Sequence, residues 1–144
     1  VGVYGFVWGG SQFFTGKLSD HIGRQKPNVW GMWICGAGVA MMLWHESMAW
    51  WSFCAAVSGF GMALLYPNLS AAVADISHPN WRGSAIGIYR FWRDLGYGIG
   101  ALGLGITAHF SGTVDTAFWF VALSMFLSGA VLWILGEETY PKNK

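Results

Sequence analysis

Gly16-Lys17-Leu18-Ser19-Asp20-His21-Ile22-Gly23-Arg24-Gln25-Lys26 is the stretch that decides how this chain is read. It is short, polar and charged, and a long apolar run lies on either side of it. Gly16 and Gly23 stand seven residues apart, and glycine lets a backbone turn sharply or approach another closely. Asp20 and Arg24 lie between and beside them, four residues apart. A helical turn would set that acid and that base on one face.

Composition sets the class. Of 144 residues, 54% are hydrophobic and 10% charged, with ten Trp and 21 Gly. An ordinary soluble domain is less apolar and carries more charge. The net charge of +1 provides no basic patch, so nucleic acid is not an expected partner. The chain opens at Val1 inside an apolar run, without Met or a charged leader. No signal peptide is visible, and the sequence reads as a piece of a longer polypeptide.

Five apolar segments follow one another: 1–15, 28–44, 50–76, 83–110 and 116–136, with the polar loop 16–27 after the first. A bilayer span takes about 20 apolar residues, so the first segment is short and the third is long enough to cross and protrude. None shows the alternation of a barrel strand, and each is longer than one, so helices are expected. Lys17, Arg24 and Lys26, then Arg82, then Lys142 and Lys144 occupy alternate connections, while the two intervening loops hold no Lys or Arg. By the positive-inside rule the basic set faces the cytoplasm. Trp44, Trp50 and Trp51 bracket the opposite end of the second and third segments, as an aromatic belt would.

The acid and base of the opening stretch gain a third partner from this topology. The end of the third segment returns Asp75 to the membrane surface that holds Asp20 and Arg24. Arg24 shared between the two carboxylates would form a latch, strong while its surroundings are closed and partly dry. The plainer reading is a solvated loop whose charges only set topology. Further back, Ser58-Gly59-Phe60-Gly61 permits close backbone contact, and Tyr66-Pro67-Asn68 follows. Pro67 removes a helical hydrogen bond and bends or loosens the helix. Pro67 and Asn68 are candidates for lining a substrate cavity; the alternative is that they shape packing between helices.

The fourth segment carries charge into the membrane. Gly83, Gly87, Arg90, Asp94, Gly98, Ala101 and Gly105 form one helical stripe; Gly96, Gly100 and Gly103 form another, and small residues there would let other helices pack closely. Asp94 lies about 15 Å along the helix from Gly83. Arg90, Arg93 and Asp94 are therefore a candidate intramembrane charge cluster. Ionised Asp94 is favoured beside the two arginines and disfavoured by burial, so motion that parts them would let it take up a proton. A purely structural role, as an extension of the latch, fits the same residues. No Cys or His pair has metal-ligand spacing. Cys35 and Cys54 lie at different depths, too far apart for a disulfide. No phosphate-binding or dinucleotide motif is present, so no metal, no cofactor and no enzymatic activity are expected.

The spacing G-x-L-S-D-x-x-G-R over Gly16 to Arg24 resembles the signature loop of major facilitator superfamily transporters. Asp75 and Arg82-Gly83 at the end of the third segment are similar to the equivalent helix end in drug-transporter-like members. The run Tyr89-Arg90-Phe91-Trp92-Arg93-Asp94-Leu95-Gly96-Tyr97-Gly98-Ile99-Gly100 is similar to one in drug-efflux-like bacterial members. The resemblance implies an all-α membrane protein, residues 1–144 supplying five transmembrane helices of one six-helix half. The closing Glu137-Glu138-Thr139-Tyr140-Pro141 resembles the end of such transporters and points to helices eight to twelve, although both halves share the fold. It implies that Gly16, Asp20, Gly23, Arg24 and Asp75 stabilise the outward-facing state. The function implied is secondary active transport of an unidentified small molecule by alternating access, with proton coupling as a candidate. The alternative is a non-transporting membrane scaffold or assembly partner, which has little reason to bear these charges. The expected partners are the lipid bilayer, a small-molecule substrate and the remainder of the transporter chain. The expected location is a bacterial inner membrane.

Overall fold

A computed structural model of the chain describes residues 2–140, and these are helical nearly throughout. Five α-helices follow in order: α1 (Gly2–Ile22), α2 (Gln25–Met41), α3 (Met48–Ile76), α4 (Arg82–Ser111) and α5 (Val114–Leu135). A single 3-10 turn, Pro79–Trp81, leads into α4. Two of the helices, α3 and α5, are both long and apolar enough to cross a membrane.

The expected polar loop 16–27 is corrected by this order. Helix α1 runs on through Ile22, and α2 begins at Gln25. Only Gly23 and Arg24 connect them, because Gly23 adopts φ +93° and its N–H donates to Ser19 O at 3.1 Å. One left-handed glycine closes the helix and reverses the chain. The other segments start and stop within three residues of the expected bounds.

Packing is organised around α3. It lies against both α1 and α2 along much of their lengths; α2 in turn packs on α5, and α4 rests more lightly on α5 and α3. Glycine makes the α2–α3 contact close: a Cβ on Gly61 would stand 2.8 Å from Gly31 O and 2.8 Å from Cys35 N. Cys35 and Cys54 are both free thiols and buried. Cys35 Sγ donates to Ser58 O at 3.4 Å across the same seam. The close contacts expected along both glycine stripes of α4 are not formed there. Gly83, Gly87, Gly96, Gly98, Gly100 and Gly105 have open space where a side chain would stand, and only Gly103 meets a neighbour, Phe120. Helix α4 has no buried residue among those described.

Pro67 sits inside α3 without breaking it. Proline has no N–H, so the carbonyl one turn back, that of Ala63, loses its helical donor. The hydroxyl of Thr15 on α1 supplies the missing bond, donating to Ala63 O at 2.8 Å. Thr15 is 2% exposed. The orphan carbonyl is therefore satisfied from the neighbouring helix, as it must be where no water reaches. At the far end of α2, the indole N–H of Trp50 donates to Met41 O at 2.7 Å and covers a terminal carbonyl.

Candidate functional site

Two clusters of charge stand out, one at the α1–α2 turn and one partway along α4. At the turn, Arg24 is the hub. Its Nη1 lies 2.9 Å from Asp20 Oδ1 and its Nε 3.1 Å from Asp75 Oδ2. Nη1 also donates to Ser19 Oγ, and the guanidinium lies 5.0 Å over the ring of Tyr140. The Arg24 side chain is 12% exposed, against 54% for Asp20 and 24% for Asp75. Arg24 is well shielded while Asp20 is more than half exposed, and a surface pair typically contributes at most about 1 kcal/mol.

The backbone joins the same knot. The N–H groups of Arg24 and Gln25 donate to the two oxygens of Glu138, at 2.7 and 3.2 Å. These are orphan donors at the start of α2, where a carboxylate also meets the positive end of the helix dipole. Gln25 returns the service: its Nε2 donates to Leu132 O, Trp133 O and Gly136 O at 3.2, 3.4 and 2.8 Å, covering the end of α5. A side chain on Gly23 would collide with the Glu138 carboxylate. Four segments thus meet at Arg24: the end of α1, the start of α2, the end of α3 and the residues after α5. Of the motif residues, Asp20, Gly23, Arg24 and Asp75 are brought together here. Gly16 lies inside α1 with nothing packed on it.

The second cluster is built on α4. Arg93 directs Nε and Nη2 to one oxygen of Asp94, Oδ1, both at 2.9 Å. Its Nη1 donates to Tyr66 Oη on α3 at 2.9 Å. The guanidinium lies 5.3 Å from the Tyr66 ring and 5.8 Å from that of Tyr89. Tyr66 meets Trp8 edge-on at 5.7 Å, and Trp8 stacks on Tyr4 at 6.2 Å. Arg90 shares the helical stripe with Asp94 but does not pair with it; it is exposed and makes no ion pair among the described residues. The flexible Arg93 side chain reaches its sequence neighbour instead.

Asn68 is sealed between the helices at 1% exposure, its Nδ2 bound to Leu64 O and its Oδ1 without a partner among the described residues. Pro67 is half-buried. A groove of about 570 Å³ runs between α4 and α5, past Gly96, Tyr97, Gly100, Leu104, Phe120 and Ser124, and no charged side chain lines it.

The sequence did not single out Ser19, Gln25, Glu138, Thr15, Tyr66 or Tyr89 as parts of these sites. Glu138 lies 114 residues from Arg24, and only its place in an acidic pair just past the last apolar segment marked it. The proline inside an apolar helix was a usable signal for Thr15, since it announces an orphan carbonyl that needs a donor nearby.

The described residues form a helical bundle with two membrane-length helices and a charge clamp between helix ends, an arrangement consistent with an integral membrane protein. The family model described as Major Facilitator Superfamily matches residues 1–144. The chain belongs to that superfamily of transporters. An uncharacterized MFS-type transporter of Salmonella typhimurium is 28% identical over 133 residues, which are 92% of this chain and 34% of that protein. Citrate exporter 1 of Aspergillus niger is 31% identical over 141 residues, 96% of this chain and 26% of the exporter. MFS-type transporter criB of Aspergillus cristatus is 27% identical over 132 residues, 90% and 27% of the two chains. The chain therefore spans about a third or less of these relatives. No solved structure gives a significant match.

Proposed function

We propose that this chain is part of a secondary active transporter that moves a small molecule by alternating access. In this reading all five helices cross the membrane, and the α1–α2 turn and the C-terminal end face the cytoplasm of a bacterial cell. The observation that carries it is the four-segment knot at Arg24, which ties α1, α2, α3 and the residues after α5 at one end of the bundle. Such a knot acts as a latch. It holds one arrangement of helices while its pairs are shielded, and water entering on opening weakens them. Its two carboxylates share one guanidinium, so a displacement of α1 or α3 breaks the knot without unfolding a helix.

Asp94 is the coupling group in this reading. Its carboxylate pairs with Arg93, and loss of that contact within the membrane favours protonation. A conformational cycle that breaks and remakes the pair would move one proton per turn. The likeness of the Tyr89–Gly100 run to drug-efflux members, and a relative named as a citrate exporter, both support outward movement of cargo.

Flux in proteoliposomes containing the full-length polypeptide tests this. A pH gradient should drive uphill transport in the parent protein. Asp94→Asn should lose uphill transport while retaining downhill exchange. Uphill transport that survives Asp94→Asn removes the coupling role, and no flux under any gradient favours a scaffold instead.

A further inference from the structure

The charge balance along α4 is incomplete. With 30 residues the helix is about 45 Å long, and Arg93 lies about 5 Å from its midpoint. If α4 crosses the membrane centred on its midpoint, as the transporter reading has it, Arg90 and Arg93 both lie within the hydrocarbon, roughly 30 Å thick. One acid, Asp94, accompanies two cations. The remaining described acids stand at helix ends or between helices: Asp20, Glu46, Asp75, Asp115, Glu137 and Glu138. Arg90 has no ion pair among the described residues, and an unpaired guanidinium at such depth is costly. An ionisable residue kept in a span at that cost is a candidate functional residue.

Resting on the transporter reading above, we propose that Arg90 and Arg93 bind the anionic group of the transported molecule, a small carboxylic acid with an apolar or aromatic body. The geometry around Arg93 suits such a ligand. Two of its N–H groups converge on a single oxygen of Asp94, which leaves the two-toothed fork unmatched; a free carboxylate meets a guanidinium with two parallel bonds. Asp94 is 61% exposed and can swing away. Aromatic rings adjoin the Arg93 guanidinium. Tyr66 and Tyr89 flank the guanidinium, and Trp8 stands behind Tyr66. They supply apolar faces to the body of the acid, while the Tyr66 hydroxyl keeps Arg93 aimed. Asp94 takes the position on Arg93 that the ligand carboxylate would occupy, so anion binding and release of Asp94 are one event.

The test uses the full-length protein in proteoliposomes with three probes: benzoate, succinate and the lipophilic cation tetraphenylphosphonium. Saturable flux of a carboxylate probe is expected, with KM raised about tenfold or more by Arg90→Gln and by Arg93→Gln, since each removes a charge-assisted contact. Arg93→Lys should recover part of the loss, because a point charge lacks the fork. A second readout needs no variant: succinate or benzoate should slow phenylglyoxal modification of Arg90 in the parent protein, followed by mass spectrometry. Flux of tetraphenylphosphonium without competition by either acid overturns the anion site and leaves the transporter standing. Carboxylate flux with unchanged KM in both glutamine variants, or no protection of Arg90, also overturns it. No flux of any probe under any gradient rejects the transporter reading itself.

Discussion

Thr15 and Pro67 show how single residues satisfy one another in the apolar interior. The proline withholds a donor from Ala63, and a hydroxyl on the next helix replaces it at 2.8 Å. Thr15→Val should lower stability by about 1 kcal/mol, the usual net value of one such bond. The same change made in a Pro67→Ala background should cost markedly less, because the restored N–H serves Ala63 from within the helix. A double-mutant cycle on thermal unfolding in detergent reads the difference. The triad Asp20, Arg24 and Asp75 was legible in the sequence, because spacing sets the first pair and topology delivers the third. Glu138 and Gln25 were not. Their bonds join segments more than a hundred residues apart, and nothing local in either residue announces the other.

At the scale of the elements, the sequence placed all five helices but misread where the first one ends. Lys17, Ser19, Asp20 and His21 look like loop residues by polarity, yet they form the last turns of α1, projecting beyond its apolar part. The actual stop is Gly23, through its positive φ and its contact with Glu138. Gly23→Ala should therefore cost more than about 1 kcal/mol, combining the left-handed strain of a non-glycine residue with displacement of the carboxylate. The glycines of α4 misled in another way. Small residues show where a helix can be approached, not which helix approaches. In the described chain the close seam runs between α2 and α3 instead. Gly61→Ala would press on Gly31 O and Cys35 N and should destabilise by roughly 1–3 kcal/mol, as overpacking does. Thermal unfolding of the two variants against the parent protein measures both.

For the molecule as a whole, α3 is the common neighbour of α1, α2 and α4, and it carries a partner for each charge cluster. Asp75 near its end binds Arg24, and Tyr66 within it binds Arg93. A shift of α3 would disturb both, which gives the Arg24 knot and the Arg93 cluster a shared mechanical element. The claim that Arg24 latches one arrangement of the transporter is central. Its most direct test is access to the middle of α4. Tyr97 is 57% exposed there, and the native Cys35 and Cys54 are 4% and 0% exposed, so among the described residues a Tyr97→Cys variant offers one reactive thiol. Labelling by a membrane-impermeant maleimide, applied from the side that carries Lys17 and Lys26, should speed up when Arg24→Gln is added. A latch of about 1 kcal/mol corresponds to about fivefold. Equal labelling rates with and without Arg24→Gln would contradict the latch.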